Sequence, residues 1–156
     1  MRIVRFLKRL RDDREGAMII ETAIVAPVLV LMSLGAYQVS GIIAKQAELQ
    51  GAAAEGAAIA LAAAPDTAAK RTVLKNVMMA STGLPTGKVT ITEAFRCDNS
   101  TSFVTNSNSC SSGDVVSKYV KIRLSDTYTP PWTNFGVGSP IHYNVVRYVM
   151  YKQQTA

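Results

Sequence analysis

The chain has 156 residues, enough for one or two small domains, and it combines 48% hydrophobic residues with only 18% charged ones. It carries 17 basic and 11 acidic residues, for a net charge of +6. The apolar residues concentrate in one run of 28 residues, from Ala17 to Ala44, whose only charge is Glu21. As a helix this run is about 40 Å long, enough to cross a hydrocarbon core of about 30 Å. These properties argue against an ordinary cytosolic globular protein.

The charge that precedes the apolar run predicts its orientation in a membrane. Residues 1–16 contain six basic and three acidic side chains, so half of the net charge lies there. Just beyond the run, Lys45 is outweighed by Glu48 and Glu55. Because basic residues flanking a membrane span stay in the cytoplasm, we expect a cytoplasmic amino terminus and a translocated remainder.

Three interpretations of residues 1–44 compete. A secretory signal has a shorter apolar segment followed by a small-x-small cleavage site, and this run is too long and has no such break. An uncleaved signal anchor fits the hydropathy alone. A third interpretation comes from the junction, where a basic leader ends in Arg14-Glu15-Gly16. Cleavage after Gly16 would make Ala17 the first residue of the mature chain and Glu21 the fifth.

This junction resembles the class III leader of type IV pilins and pseudopilins, in which a prepilin peptidase cuts before the apolar segment. The sequence REGAMIIETAIVAPVLVLMSLG, followed by AKQAELQGAAAEGAAIA, is similar to TadE-like minor pilins of the tight adherence (Flp) system. The resemblance implies processing between Gly16 and Ala17 and a location in the bacterial inner membrane, with a periplasmic head that can enter an extracellular pilus. It also implies four partners: the prepilin peptidase, other major and minor pilins, the inner-membrane assembly platform and the lipid bilayer.

Glu21 is the residue of the apolar run that most needs an explanation. An ionisable side chain inside an apolar helix costs on the order of 3 kcal/mol and usually has a partner. Cleavage before Ala17 would create an amine one helical turn away. The resemblance implies that this pairing, within or between subunits, sets the register of assembly. The alternative is that Glu21 simply lies at the headgroup boundary.

The apolar run continues into an alanine-rich segment that ends at Pro65. Because alanine is the strongest helix former, we expect one long helix over residues 17–64, with its amino-terminal half in the membrane. Pro27 is predicted to kink or locally melt this helix. Small residues allow close approach of a neighbouring helix or of the protein's own head. They are Gly35, Ala36, Gly41, Ala44, Gly51, Ala52, Ala53, Gly56, Ala57 and Ala60.

Residues 65–156 are predicted to form an α+β head. A second, amphipathic helix is expected over residues 66–82, with Asp66 or Thr67 as its cap and Gly83 as its stop. Its apolar face comprises Val73, Leu74, Val77 and Met78.

Three strands of a small antiparallel sheet are expected over residues 88–95, 119–126 and 141–152. The middle strand alternates Val120, Ile122 and Leu124 with polar residues. The adjacent Val145 and Val146 predict a bulge in the last strand. With the second helix and the upper part of the long helix covering the sheet, the whole chain is expected to be pilin-like, with 1–16 as a cytoplasmic leader, 17–64 as the long helix and 65–156 as the head.

The two cysteines, Cys97 and Cys110, flank a polar segment of twelve residues. In a translocated domain a disulfide is the favoured interpretation, and closing such a loop contributes about 3 kcal/mol. A zinc site is a poor rival, because the single histidine, His142, is distant in sequence. We expect neither a metal nor another cofactor.

No arrangement of residues predicts catalysis, because there is one histidine and the acids of the head are scattered. The aromatic loop with Tyr128, Trp132 and Phe135 is the best candidate for a contact surface, although these rings can also fold back onto the sheet. The few basic residues of the strands are common on a solvated face, so nucleic acid is not expected as a partner.

The leading functional interpretation is a non-catalytic minor pilin or pseudopilin that takes part in assembly of a Flp-type pilus. About 90 residues follow Pro65, and this favours a minor over a major subunit, because Flp major pilins are little more than the helix. The alternative is an uncleaved, signal-anchored periplasmic module that binds a ligand or partner.

Overall fold

The computed structural model describes residues 14–98, 100–136 and 138–155, so the first 13 residues of the predicted leader lie outside the described part. Within these ranges two helices are followed by three strands, with short 3-10 helices at Ser107–Ser109 and Pro131–Phe135. The elements are α1 (Arg14–Ala63), α2 (Ala68–Thr82), β1 (Val89–Cys97), β2 (Val115–Tyr128) and β3 (Ile141–Thr155). The predicted α+β class, with a long apolar helix, a second helix and a three-stranded antiparallel sheet, is confirmed.

The chain divides into two compact units, one ending at Ile43 and the other comprising Ala44–Ala156. We call the second unit the head unit, and it includes the carboxy-terminal two-fifths of α1. The helix α1 is continuous across Pro27. The predicted local melting at Pro27 is therefore not observed, and the kink stays a prediction.

The ends of α2 follow from its capping residues. The hydroxyl of Thr67 accepts a hydrogen bond from the Lys70 N–H (3.3 Å), so Thr67 rather than Asp66 is the amino-terminal cap. Gly83 adopts φ = 67° and donates its N–H to the Met79 carbonyl (2.9 Å), which ends the helix in a conformation that suits glycine. Leu74 and Met78 form the buried part of the helix.

The sheet has the order β1-β2-β3, and both pairs are antiparallel. Val120, Ile122 and Leu124 of β2 are fully buried, as their alternation predicts. They lie at the centre of a core to which α1 contributes Leu49 and α2 contributes Met78.

The predicted bulge at Val145 and Val146 is wrong. These residues pair in continuous register with Leu124 and Arg123. The irregularity lies farther along, between Lys118 and Tyr119 on β2, where Met150 and Lys152 are the paired residues and Tyr151 is the extra one. Val146 lies on the outer face of the sheet, where it is 38% exposed. Because adjacent residues of a strand face opposite sides of the sheet, one exposed valine next to Val145 requires no bulge.

Candidate functional site

One helix in the described residues is long and apolar enough to cross a membrane, and it is α1 from Met18 onward. None of its most apolar window is buried within the protein. The exposed side chains are large and aliphatic or aromatic, and they include Ile24 (66%), Leu31 (69%) and Tyr37 (74%). Such a surface needs an apolar surrounding, either lipid or other helices. This single amino-terminal apolar helix indicates a membrane-anchored protein.

Glu21 lies in this exposed part of α1, one turn after Ala17. The side chain is exposed, and the described residues contain no ion pair to it. The neighbouring Thr22 hydroxyl donates to the Met18 carbonyl (2.8 Å), so its donor is used within the helix. The predicted cleavage site, Gly16–Ala17, lies in the first turn of α1, and its processing stays a prediction.

The small residues of α1 have different surroundings along the helix. One stripe of α1 is buried against the rest of the head unit, and it consists of Leu49 and the small residues Ala53, Gly56 and Ala60. At Gly56 the fit is close, because an added Cβ would lie 2.6 Å from the Met78 Sδ. At Gly51, on another side of the helix, nothing would lie within 4 Å of an added Cβ. Packing within the head unit therefore explains part of the small-residue pattern. It is one of the two roles predicted for these residues, and the other is the approach of a neighbouring helix.

Two ion pairs hold the helices to the sheet. Arg71 of α2 contacts Glu93 of β1 at 2.7 Å, and the Tyr151 hydroxyl donates to the same carboxylate at 3.3 Å. Burial and the negative charge of Glu93 raise the pKa of Tyr151 to about 12.

The second ion pair joins α1 to the end of β2. The ammonium of Lys45 lies 3.2 Å from Asp126 and 3.3 Å from Glu48. Partial burial lowers the pKa of Lys45, but the hydrogen bonds and charges of Asp126 and Glu48 outweigh this effect and raise it above its ordinary value.

The predicted disulfide between Cys97 and Cys110 is formed, with the two Cα atoms 5.4 Å apart. The loop that it closes is packed onto the sheet through Phe103. This ring stacks on Tyr148, with centroids 4.0 Å apart, and meets Tyr119 edge-on at 5.0 Å. Sequence reasoning missed Phe103, although a single large aromatic residue within a polar loop is a usable signal for such an anchor.

The predicted contact loop is partly folded back. Tyr128, at the end of β2, and Trp132, in the 3-10 helix, are both half-buried, and the side chain of Phe135 lies outside the described part. The Trp132 indole packs on Gly138, where an added Cβ would lie 3.2 Å from its Nε1. The loop is therefore not a set of freely projecting rings, and a role in partner contact stays a prediction.

An apolar groove of about 300 Å³ lies between α1 and α2 in the head unit. Val73 and Val77 of α2 form part of its wall and are 62% and 44% exposed, so the predicted apolar face of α2 is only half covered. The lining offers Lys70 alone as a charged group, and this ammonium is paired with Asp66 at 2.9 Å. Such a groove has few polar groups to orient a small molecule. Its lining residues are Ile59, Ala60, Ala63, Pro65, Ala69, Lys70, Val73, Leu74 and Val77.

Among the described residues no group of three or more His, Cys, Asp or Glu side chains is placed to hold a metal ion. His142 is exposed on β3, and its Nδ1 lies 3.1 Å from the Thr127 hydroxyl on the neighbouring strand. This cross-strand contact gives His142 a structural role.

Comparison with known proteins identifies one segment. Residues 16–58 match a family described as TadE-like protein, which confirms the predicted resemblance over this part of α1. The match covers less than a third of the chain and leaves α2 and the sheet outside. No curated protein and no solved structure matches the chain significantly.

Proposed function

We propose that this chain, which is TadE-like over residues 16–58 and so associated with the Tad pilus, is a minor pilin or pseudopilin that takes part in pilus assembly. The observation that carries the proposal is the exposed apolar half of α1, with Glu21 as its single charge. An assembly of such helices buries this surface against other helices and brings Glu21 close to a positive charge on the same or a neighbouring subunit.

The precursor is inserted with its leader in the cytoplasm and its head in the periplasm, as the basic residues before α1 favour. A prepilin peptidase then removes residues 1–16 at the cytoplasmic side of the inner membrane. The new amine of Ala17 supplies the positive charge for Glu21, one turn along the helix. The assembly platform and the other major and minor pilins are the partners that receive the processed subunit.

The head makes a structural contribution. The head unit is held in a fixed shape by its disulfide, by the two ion pairs that join a helix to the sheet, and by the buried residues of β2. The described part of the head has no metal-ligand cluster, and its apolar groove is poor in polar groups. Helix packing and charge pairing, rather than a reaction, are therefore the proposed activity.

Processing is tested by intact mass and amino-terminal sequencing of the protein extracted from membranes of its own host. With an active prepilin peptidase we expect a mature chain of 140 residues that begins at Ala17, and in a strain without the peptidase the full 156 residues. An intact leader in the peptidase-active strain contradicts the proposal and supports the alternative of an uncleaved, anchored binding module.

Charge pairing is tested with Glu21→Gln, which removes the charge and keeps the shape. We expect normal membrane insertion and processing but a loss of piliation of at least tenfold, counted by electron microscopy. The matched control is Glu55→Gln, the same change at an exposed position of α1 within the head unit, and it should leave piliation unchanged. Normal piliation in Glu21→Gln would remove the role assigned to this residue.

A further inference from the structure

The last strand, β3, forms one edge of the three-stranded sheet. Over residues 144–150 every main-chain partner observed in the described part of the chain belongs to β2. In an antiparallel edge strand, the N–H and C=O of every second residue point away from the partner strand. A stretch of seven residues therefore presents a row of unpaired N–H and C=O groups, which is a template for another strand.

Apart from the charge of Arg147, residues 144–150 lack the usual features that protect an edge. The segment contains no proline and no glycine, and the irregularity at Tyr151 lies beyond it. It is rich in β-branched and aromatic residues. On the outer face of the sheet three of its side chains are substantially exposed: Val146 (38%), Tyr148 (39%) and Met150 (46%). The edge thus offers hydrogen bonds together with a row of apolar contacts.

Arg147 is the only charged residue in this segment, and it lies on the other face, opposite Ile122. Its side chain is exposed, and no carboxylate in the described residues forms an ion pair with it. The two strands β2 and β3 together carry five basic residues and one acidic residue, Asp126, which is already paired with Lys45. The two strands therefore carry an excess of positive charge.

We propose that the free edge of β3 binds an extended segment of a partner protein as a fourth strand, in which apolar residues alternate with carboxylates. The apolar residues lie beside Val146 and Tyr148 on the outer face, and a carboxylate lies next to Arg147 on the other face. A second copy of β3 supplies only further basic residues and no carboxylate, so it does not provide the complementary charge. This interaction belongs to the head and does not depend on the processing or pairing proposed for α1.

The test uses the full-length protein in lipid nanodiscs and two capped nine-residue peptides as probes. One peptide alternates valine with glutamate, and the other alternates valine with lysine. We expect the glutamate peptide to bind about tenfold more tightly, because opposite charges on neighbouring strands attract and like charges repel. Hydrogen exchange should show that it protects the amides of residues 144–150 and leaves residues 89–94, at the opposite edge, unchanged.

Two charge-reversal variants separate edge recognition from general attraction to a basic protein. Arg147→Glu should reverse the preference, so that the lysine peptide binds more tightly. Arg123→Glu makes the same change in net charge on the central strand, where Arg123 donates to Asn144 (2.9 Å), and should keep the preference for the glutamate peptide. Equal effects of the two variants would show that net charge alone acts, and would overturn the proposal.

Two further outcomes would also overturn it. Protection that spreads to both edges, or is absent from residues 144–150 when the peptide is bound, would place the binding site elsewhere. Concentration-dependent protection of residues 144–150 without peptide would show that a second copy of this chain occupies the edge. A glutamate peptide with a central proline is the control for strand formation and should fail to bind, because proline removes a backbone donor.

Discussion

The two units of this chain use the same residue types in opposite ways. In the unit that ends at Ile43, leucine and isoleucine side chains such as Leu31 and Ile24 are about two-thirds exposed. In the head unit, Ile122 and Leu124 are fully buried. The first unit has apolar residues on every side of a helix, whereas the head alternates apolar and polar residues along β2. The distribution of apolar residues along the chain, rather than their number, therefore separates a part that needs external contacts from a part that builds its own core.

Charges divide in the same way. In the head unit Asp126, Glu93 and Asp66 each have a basic partner within 3.2 Å. In the first unit Glu21 has no such partner among the described residues. These three carboxylates of the head unit are thus held by ion pairs, and the unpaired carboxylate of the first unit, Glu21, is the one that we assign to assembly.

The largest expected effect compares one substitution in the two units. Leu124→Ala removes a fully buried side chain and leaves a cavity, so it should lower the free energy of unfolding of the head by about 2–5 kcal/mol. Leu34→Ala, at a position that is 55% exposed in the first unit, should change head stability by less than about 0.5 kcal/mol. Denaturant unfolding in detergent, followed by the fluorescence of Trp132, measures both values. Similar losses in the two variants would mean that the units do not unfold separately.

A smaller effect is expected within α1, at two glycines of the head unit. Gly56→Leu forces a side chain into the space of the Met78 thioether and should destabilise the head by about 1–3 kcal/mol. At Gly51 an added Cβ meets nothing within 4 Å, and leucine is a better helix former than glycine, so Gly51→Leu should be neutral or stabilising by up to about 1 kcal/mol.

The same unfolding measurement checks the two glycine variants. Equal destabilisation by both would contradict the assignment of the stripe through Ala53, Gly56 and Ala60 as the face that packs on the head. A neutral Gly51→Leu that nevertheless reduced piliation would identify the other side of α1 as an assembly surface.

Elements with a strong local signal were predictable from the sequence. The long helix follows from the apolar and alanine-rich run that Pro65 ends, and the second helix follows from its caps at Thr67 and Gly83. The three strands follow from alternation, and the disulfide follows from two cysteines in a polar segment that the charge pattern predicts to be translocated. The residues that decide a helix or a strand lie within that element or at its ends, and the two cysteines are only 13 residues apart.

Contacts that depend on the tertiary fold were not predictable in the same way. Periodicity indicates that Val73 and Leu74 share an apolar face, but only the packing of α2 on α1 and β1 decides that Leu74 is buried and Val73 is exposed. Tyr151, the extra residue at the irregularity, donates a hydrogen bond to Glu93, which is 58 residues away in sequence. No local sequence pattern predicts such a contact. For Glu21 the sequence identifies the residue, but under the proposed function its partner charge comes from processing or from another subunit, so no contact within the described residues can identify it.

The smallest expected effect concerns the pH dependence of head stability through Tyr151. Its pKa is raised to about 12 in the folded state, from an ordinary value of 10.0, because burial and Glu93 disfavour the phenolate. The folded head therefore holds this proton more tightly than the unfolded chain does. The resulting stabilisation is fully present below pH 10 and is lost as the pH rises from 10 to about 12. Since Tyr151 is only part-buried, solvent screening keeps the effect smaller than that of Gly56→Leu.

Tyr151→Phe isolates this contribution, because it keeps the ring and removes the titrating hydroxyl. Lysines also lose protons at high pH, and Lys45, whose pKa is raised by its ion pairs, loses its stabilising charge in the wild type and the variant alike. The difference between the two melting temperatures, measured from pH 8 to pH 12, should therefore be constant up to about pH 10 and then shrink. A constant difference over the whole range would show that the Tyr151 hydroxyl has the same pKa in the folded and unfolded chains, and that Glu93 is held in the head by Arg71 alone.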